Sequence, residues 1–392
     1  MIDQQRYLSE KVINLKPSGI RRFFDLASGM EGVISLGVGE PDFVTSWAIR
    51  EASILSLEQG YTAYTANAGL IELRREISNY MNNRFGVQYS PDNEIIVTVG
   101  ASQALDLAIR AIVNPGDEVI IVEPCFVAYE SIVSLSGGVP VPVQTTVENQ
   151  FKLQPEQIEA VITPRTKALL ICSPNNPTGT LLVKEELEKI GHIVKKHDLV
   201  VLSDEIYSEL SYEDGYASFA SIDGMRERTI VINGFSKGFA MTGWRLGFAV
   251  GPSTFIQAML KIHQHTMMCA PTMAQHGAIE ALRNGMEDVA IMKKSYHQRR
   301  NYFVKSLNEI GLDCHMPGGA FYAFPSIKRT GLTSEEFAER LLLEEKVAVV
   351  PGDVFGKSGA GHIRCSYATS MDQLKEAIKR MKRFVEKLSV TV

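Results

Sequence analysis

From residue 94 onward, short runs of consecutive apolar residues alternate with longer segments whose apolar positions recur every three or four residues. The runs are EIIVTV, EVIIVE, VPVPVQ, KALLIC, LVVLSD, TIVING and RLGFAV. Their length, β-branched content and lack of polar alternation predict strands buried on both faces. Segments between them, such as ASQALDLAIRAIV and KEELEKIGHIVKKH, predict helices. Buried strands alternating with helices make an α/β fold, a mostly parallel seven-stranded sheet between helices. Upstream, Leu70, Leu73, Ile77, Tyr80 and Met81 have helical spacing over 70–84, and Gly86 stands where that helix should stop. SGIRRFFDLA predicts a short helix, and VISLGVGEPDF a short strand entering a turn.

The rhythm changes after about residue 288. A polar helical stretch, MKKSYHQRRNYFVKSLNEIG, leads to strand-like GGAFYAFP, helical SEEFAERLLLEEK, and the apolar runs VAVVPG and HIRCSYA. A last helix opens on a capping-box pair, Ser370 and Gln373, and carries one stripe of Leu374, Ala377, Ile378, Met381, Phe384, Val385 and Leu388. The expected organisation is a large α/β domain over 45–290 and a smaller α+β domain formed by both chain ends, 1–44 and 291–392.

Composition narrows the function classes. Apolar residues at 45% and charged residues at 22% are ordinary for a globular protein, and a net charge of -5 argues against a nucleic-acid partner. No basic amphipathic stretch suggests a membrane surface, and neither a signal-peptide core nor a transmembrane-length run is present, so the expected location is cytoplasmic. Five cysteines, odd in number and never in a CxxC pair, predict neither a disulfide framework nor a zinc site. Cys172 reads as core. His263 and His265 are the one close histidine pair, and no third ligand is spaced to join them, so no metal is expected.

Chemistry concentrates where predicted strands end, the edge at which open parallel sheets bind ligands. After EIIVTV, Gly100 leads into Ala101, Ser102 and Gln103 at a helix start, which is either an anion site or a plain turn with Ser102 as the N-cap. After KALLIC comes SPNNPTG, a rigid turn that either caps itself or aims Asn176 over the strand end. Asp204 ends LVVLSD and is partly buried, so it needs a cationic or hydrogen-bonded partner unless it is a helix N-cap; Tyr207 follows three residues on. Finally, TIVINGFSKGFAMTGWRLGFAVG delivers Ser236 and Lys237 off a strand end, with Arg245 eight residues later. A lysine with a reference pKa of about 10.4 becomes a useful nucleophile when buried or beside another cation, and an arginine fork suits phosphate.

In this order, NNPTG, SDEIY and SKGFAMTGWRLG resemble the aspartate-aminotransferase superfamily, the fold-type I pyridoxal-phosphate enzymes, and within it the class I/II aminotransferases. The resemblance runs from ISLGVGEPDF to HIRCSYA. It implies transfer of the amino group of an L-amino acid to a 2-oxo acid, by default 2-oxoglutarate, with pyridoxal phosphate as cofactor. It further implies that Lys237 tethers the cofactor covalently and moves the substrate proton. Asp204 would pair with the pyridinium nitrogen, Tyr207 and Asn176 would bond the phenolic oxygen, and Phe126 would stack on the ring. Gly100, Ala101, Ser102, Ser236 and Arg245 would hold the phosphate. Tyr64 would reach the phosphate of a partner subunit, making a homodimer with shared sites. Arg364 would clamp the substrate carboxylate beside Gly39 and Asn176.

One departure stands out: many relatives carry serine three residues before the lysine, where this chain has Gly234. Fold alone also admits a C–S lyase, an aminocyclopropane-carboxylate-type synthase, a decarboxylase or a non-catalytic ligand-sensing regulator. The substrate side chain is expected to meet residues 18–22, Val38 and a loop containing His263 and His265.

Overall fold

All seven apolar runs are strands of one sheet in the computed structural model, which describes residues 4–15, 19 and 29–389. A two-residue strand, β1 (Ile34–Ser35), precedes them in the chain. The seven are β2 (Ile95–Thr98), β3 (Glu118–Glu123), β4 (Val139–Gln144), β5 (Thr166–Cys172), β6 (Val200–Asp204), β7 (Thr229–Gly234) and β8 (Gly247–Val250), in spatial order β2-β8-β7-β6-β5-β3-β4. β8 alone runs against the others, antiparallel to both β2 and β7. Every residue of β7 is buried, and so are the last five of β5, because helices cover both faces.

The helix Gly100–Ile112 follows β2, and its buried face (Ala104, Leu105, Ala108, Ile109, Ile112) joins the core that contains Ile230, Ile232 and Ala249 of the sheet. On the opposite face, Leu187, Ile190 and Val194 of the helix Lys184–Lys196 pack with Leu169, Ile171 and Val201. The helix expected over 70–84 runs Ile71–Phe85 and stops at Gly86, whose φ of 68° is left-handed and thus cheap for glycine. The short helix expected over 18–27 lies outside the described residues, apart from Gly19.

Beyond the long helix Met286–Glu309 come β9 (Tyr322–Ala323), β10 (Val347–Ala348), β11 (Val350–Pro351) and β12 (Ile363–Ser366). β11, β12 and β9 form an antiparallel sheet, while β10 pairs in parallel with β1 from the other end of the chain. The helices Ser334–Glu345 and Met371–Ser389 flank this region. At the start of the last helix, the Gln373 amide donates to the Ser370 hydroxyl at 3.2 Å, the N-cap half of the expected capping box. Leu374, Ala377, Ile378, Met381 and Phe384 of its stripe are buried, and each large apolar side chain so buried contributes about 1.5–3 kcal/mol. Among the described residues no helix is long and apolar enough to cross a membrane.

Candidate active site

The strand ends converge because β5 and β6 finish level, Cys172 pairing with Asp204, and β7 runs only two residues past Ile232, the partner of Asp204, to Gly234. The chain beyond each end therefore delivers Asn176, Asp204 and Lys237 to one edge. The reversed direction of β8 adds Arg245 there, since β8 begins where its neighbours end, with Gly247 opposite both Gly234 and Thr98. A cavity of about 610 Å³ opens at this edge, and all the expected site residues line it except Gly100 and Tyr64. Gly100 stands behind the wall: its φ is 78°, and a Cβ there would lie 2.8 Å from Nη2 of Arg245. Ala101 and Ser102 thus present a helix start, with its free amides, to a cavity that Arg245 also lines. Tyr64 is 78% exposed and does not line this chain's own cavity.

Gly234 is explained by packing. A Cβ there would meet Cα of Gly247 at 3.0 Å and the Leu246 carbonyl at 3.1 Å, so the β7–β8 pair closes directly over it and a serine would fit only if that backbone gave way slightly.

Asp204 is buried and, among the described residues, has no cationic side chain in hydrogen-bond contact. Its Oδ2 accepts from the Tyr129 hydroxyl at 2.7 Å and its Oδ1 from the Ile206 amide at 3.2 Å. It is not a helix N-cap, since a turn follows it and the next 3₁₀ helix, Ser208–Leu210, is capped by Tyr207. Burial pushes its carboxyl above the usual range, against the downward pull of Tyr129, the Ile206 amide and Lys237. A buried carboxylate held by neutral donors is a receptor for a cation on a ligand.

Lys237 donates from Nζ to the Gly39 carbonyl at 2.6 Å. Burial brings its ammonium down from 10.5 to about 8; Arg364 and Arg245 add to the fall, and Glu40 and Asp204 oppose it. The unfolded chain therefore binds more protons than the folded one between about pH 8 and 10.5, and the contribution of Lys237 to stability improves as pH rises through that window. Below it the cost of burying the charged amine is felt in full. The amine also becomes a nucleophile earlier than a surface lysine. The rate at which apoprotein captures an aldehyde, followed by absorbance, is expected to climb with pH and level off just above 8. A rate still climbing tenfold per unit through pH 10 would contradict this.

Arg364 is buried in β12 and has no carboxylate partner among the described residues. Its Nη1 donates to Oδ1 of Asn176 at 3.0 Å and its Nη2 to the Gly37 carbonyl at 2.6 Å, while Nε has no partner among the described residues. The ring of Tyr322 lies 4.6 Å below the guanidinium and that of Phe355 5.0 Å. Neutral carbonyls and ring faces do not neutralise a buried charge, so the arrangement is built to receive an anion. The paired asparagines divide the work. Asn175 accepts from the amide and hydroxyl of Thr178 and so caps its own turn, which leaves Asn176 free for the site.

Two expectations need correction. His263 and His265 lie in a helix, Ser253–Thr266, and not in a loop, because apolar Phe255, Ile256, Met259, Leu260 and Ile262 carry helical spacing through that segment. Neither lines the cavity: His263 is fully buried, with Nδ1 3.1 Å from Nε2 of Gln103, and His265 is exposed. Val38 does line it, whereas residues 18 and 20–22 lie outside the described residues. Cys172 is buried as expected but also forms part of the cavity wall. Tyr129 and Tyr322 went unforeseen. Tyr129 sits three residues after Phe126, one helical turn, which was its available signal; Tyr322, in GGAFYAFP, gave none.

A lysine with a lowered pKa, a buried unpaired carboxylate and a buried unpaired guanidinium face one cavity in the sequence order expected of a single family. A sequence profile of the family described as aminotransferase class I and II matches residues 31–381. The chain belongs to the class I and II aminotransferases. As a member it is an enzyme that moves amino groups. It is 69% identical, over 97% of its own length and 99% of the relative's, to the Bacillus subtilis (strain 168) protein YugH, provisionally named an aminotransferase. It is 47% identical to an aspartate aminotransferase of Pyrococcus abyssi, over 98% of this chain and 100% of that one. The crystal structure of an aromatic aminotransferase from Pyrococcus horikoshii OT3 superposes with a TM-score of 0.89 at 45% identity, covering 94% of this chain and 99% of that one. This aminotransferase therefore shares sequence with enzymes named for two different donor classes.

Proposed function

We infer that the cavity binds pyridoxal 5'-phosphate and that the enzyme transfers the amino group of an L-amino acid to a 2-oxo acid, with 2-oxoglutarate as the acceptor. The residues fit the cofactor on three counts. Asp204 lacks a cation, as a carboxylate reserved for a protonated ring nitrogen should. Ala101, Ser102, Ser236 and Arg245 supply amides, hydroxyls and a guanidinium for a phosphate. Phe126 offers an aromatic wall, and Tyr207 and Asn176 offer hydrogen-bonding groups for a phenolic oxygen. When bound, the cofactor supplies an electron sink for the Cα–H bond of the amino acid.

The protein's own part is binding, orientation and proton movement. Arg364 and Asn176, with the backbone about Gly39, orient the substrate carboxylate. Nζ of Lys237, with its lowered pKa, is the covalent tether and then the group that removes and returns the proton at Cα. Asp204 keeps the ring nitrogen charged. The observation that carries this reading is Arg364, a buried cation with no carboxylate partner among the described residues, which lines the same cavity as Lys237 and Asp204.

The chain reads as a large domain over 45–290 and a small one from 1–44 and 291–392, supported by the β1–β10 pairing between the two ends. A homodimer with shared sites is supported by exposed Val44, Trp47, Ile54, Leu55, Leu57, Tyr61 and Tyr64, clustered in one stretch of chain. Five free cysteines support a cytoplasmic setting.

The test is to mix the holoenzyme with single amino acids and follow the aldehyde-to-amine change of the cofactor by absorbance, then reverse it with 2-oxoglutarate. Aspartate and the aromatic amino acids are the first donors to compare. A cofactor that stays bound and unchanged with every amino acid would refute the reading.

A further inference from the structure

Tyr207 and Tyr322 meet in the cavity wall, hydroxyl to hydroxyl at 2.9 Å, and both are buried. Among the described residues this is the one hydrogen bond that either hydroxyl makes. Each phenol carries a single proton, so the pair has two orientations. If Tyr207 donates to Tyr322, it has no proton left for a ligand. If Tyr322 donates to Tyr207, the Tyr207 proton is free to point into the cavity.

The surroundings favour the second orientation. The Arg364 guanidinium lies 4.6 Å over the Tyr322 ring, and a cation on that face draws electron density from the phenol and makes it the better donor. Burial raises both hydroxyls; on Tyr322 Arg364 and then the bond with Tyr207 oppose the rise, whereas on Tyr207 the contact with Tyr322 adds to the rise and Arg364 opposes it. The Tyr322 side chain is also held in place. Phe321 packs on it with ring centroids 4.8 Å apart, and at Gly39 a Cβ would lie 2.7 Å from the Tyr322 hydroxyl, so that position has to be glycine for the phenol to sit there.

We propose that Tyr322 is a positioning residue for amino transfer, whose hydroxyl donates to Oη of Tyr207 and thereby aims the Tyr207 proton at the phenolic oxygen of the bound cofactor. The inference rests on the pyridoxal-phosphate reading of the cavity. Two hydrogen bonds in series polarise each other, so the Tyr207 bond to the ligand is stronger than it would be alone. The link also joins β9 of the C-terminal sheet to the turn after β6 of the large sheet. The group that grips the substrate carboxylate and the group that bonds the cofactor are thus connected through one side chain.

The experiment is a pH titration of the visible absorbance of the holoenzyme in wild type, Tyr322→Phe, Tyr207→Phe and the double variant. Removing a donor leaves the negative phenolic oxygen less stabilised, so the proton associated with it is held to higher pH. Tyr322→Phe is expected to raise the spectral midpoint by roughly half a unit or more, and Tyr207→Phe by more than that. The double variant is expected to match Tyr207→Phe alone, because Tyr322 acts through Tyr207. Since phenylalanine keeps the ring under Arg364, KM for the amino acid should stay within about twofold while kcat falls; Tyr322→Leu, which removes that ring, should raise KM as well. An unmoved midpoint in Tyr322→Phe overturns the inference, and so does an undiminished shift in the Tyr207→Phe background. A wild-type holoenzyme without a pH-dependent visible band would instead remove the cofactor reading itself, and this inference with it.

Discussion

Lys237→Ala protein is expected to turn over no amino acid at a measurable rate while still folding. General-base transfer by a positioned side chain is worth about 10²–10⁴-fold by itself, and loss of the covalent tether adds to this. Among the described residues no other amine lines the cavity to take over the task. The fold should tolerate the change, because among the described residues the one hydrogen bond of Lys237 is to the Gly39 carbonyl, and removing a buried amine relieves a desolvation cost. Lys237→Arg is the informative companion: a guanidinium keeps its proton above pH 12 and cannot act as the base, so it should be as inactive as alanine. Circular dichroism and thermal melting check the fold, and single-turnover absorbance with a saturating amino acid checks the chemistry. A Lys237→Ala variant that retains more than about a tenth of the wild-type rate would place the base elsewhere.

Arg364→Leu is expected to lower kcat/KM for α-amino acids by about 10²–10³-fold, mainly through KM. A buried charge pair that loses one partner costs about 2–5 kcal/mol, and here the lost partner would strand the substrate carboxylate against Tyr322 and Phe355. Arg364→Lys should recover part of the loss, since a point charge meets a carboxylate but cannot present two parallel N–H groups to it. The specific control is a primary amine with the same side chain and no carboxylate. If Arg364 is the clamp, the variant is penalised with the amino acid and hardly at all with the amine. Equal penalties for both would mean that Arg364 supports the cavity without touching the substrate.

Much of this site could be read along the chain, and the reason lies in particular residues. Asp204 and Lys237 follow apolar runs that can only be buried strands, so their place at a strand end follows from local pattern. Arg364 in an apolar strand was legible in the same way. What went unread depended on partners far away in sequence. Tyr129 reaches Asp204 across 75 residues, and Tyr322 reaches Tyr207 across 115. The histidine pair, expected in a loop beside the substrate side chain, lies in a helix instead, and the helical spacing around it is the better guide.

The sequence by itself determined the elements, their α/β class, the family and the chemical type of each strand-end residue, because apolar periodicity and turn chemistry act over a few residues. The tertiary structure decided which of those residues share a cavity. The antiparallel course of β8 sets Arg245 beside the helix start at Gly100, and β12 carries Arg364 to Asn176 across 188 residues and to the Gly37 carbonyl across 327. It also decided that Asn176 and not Asn175 faces the site, and that Gly234 and Gly39 leave room for a neighbouring backbone and a phenol. Such contacts arise from the order and direction in which strands pair and from close packing, which no window of the chain contains.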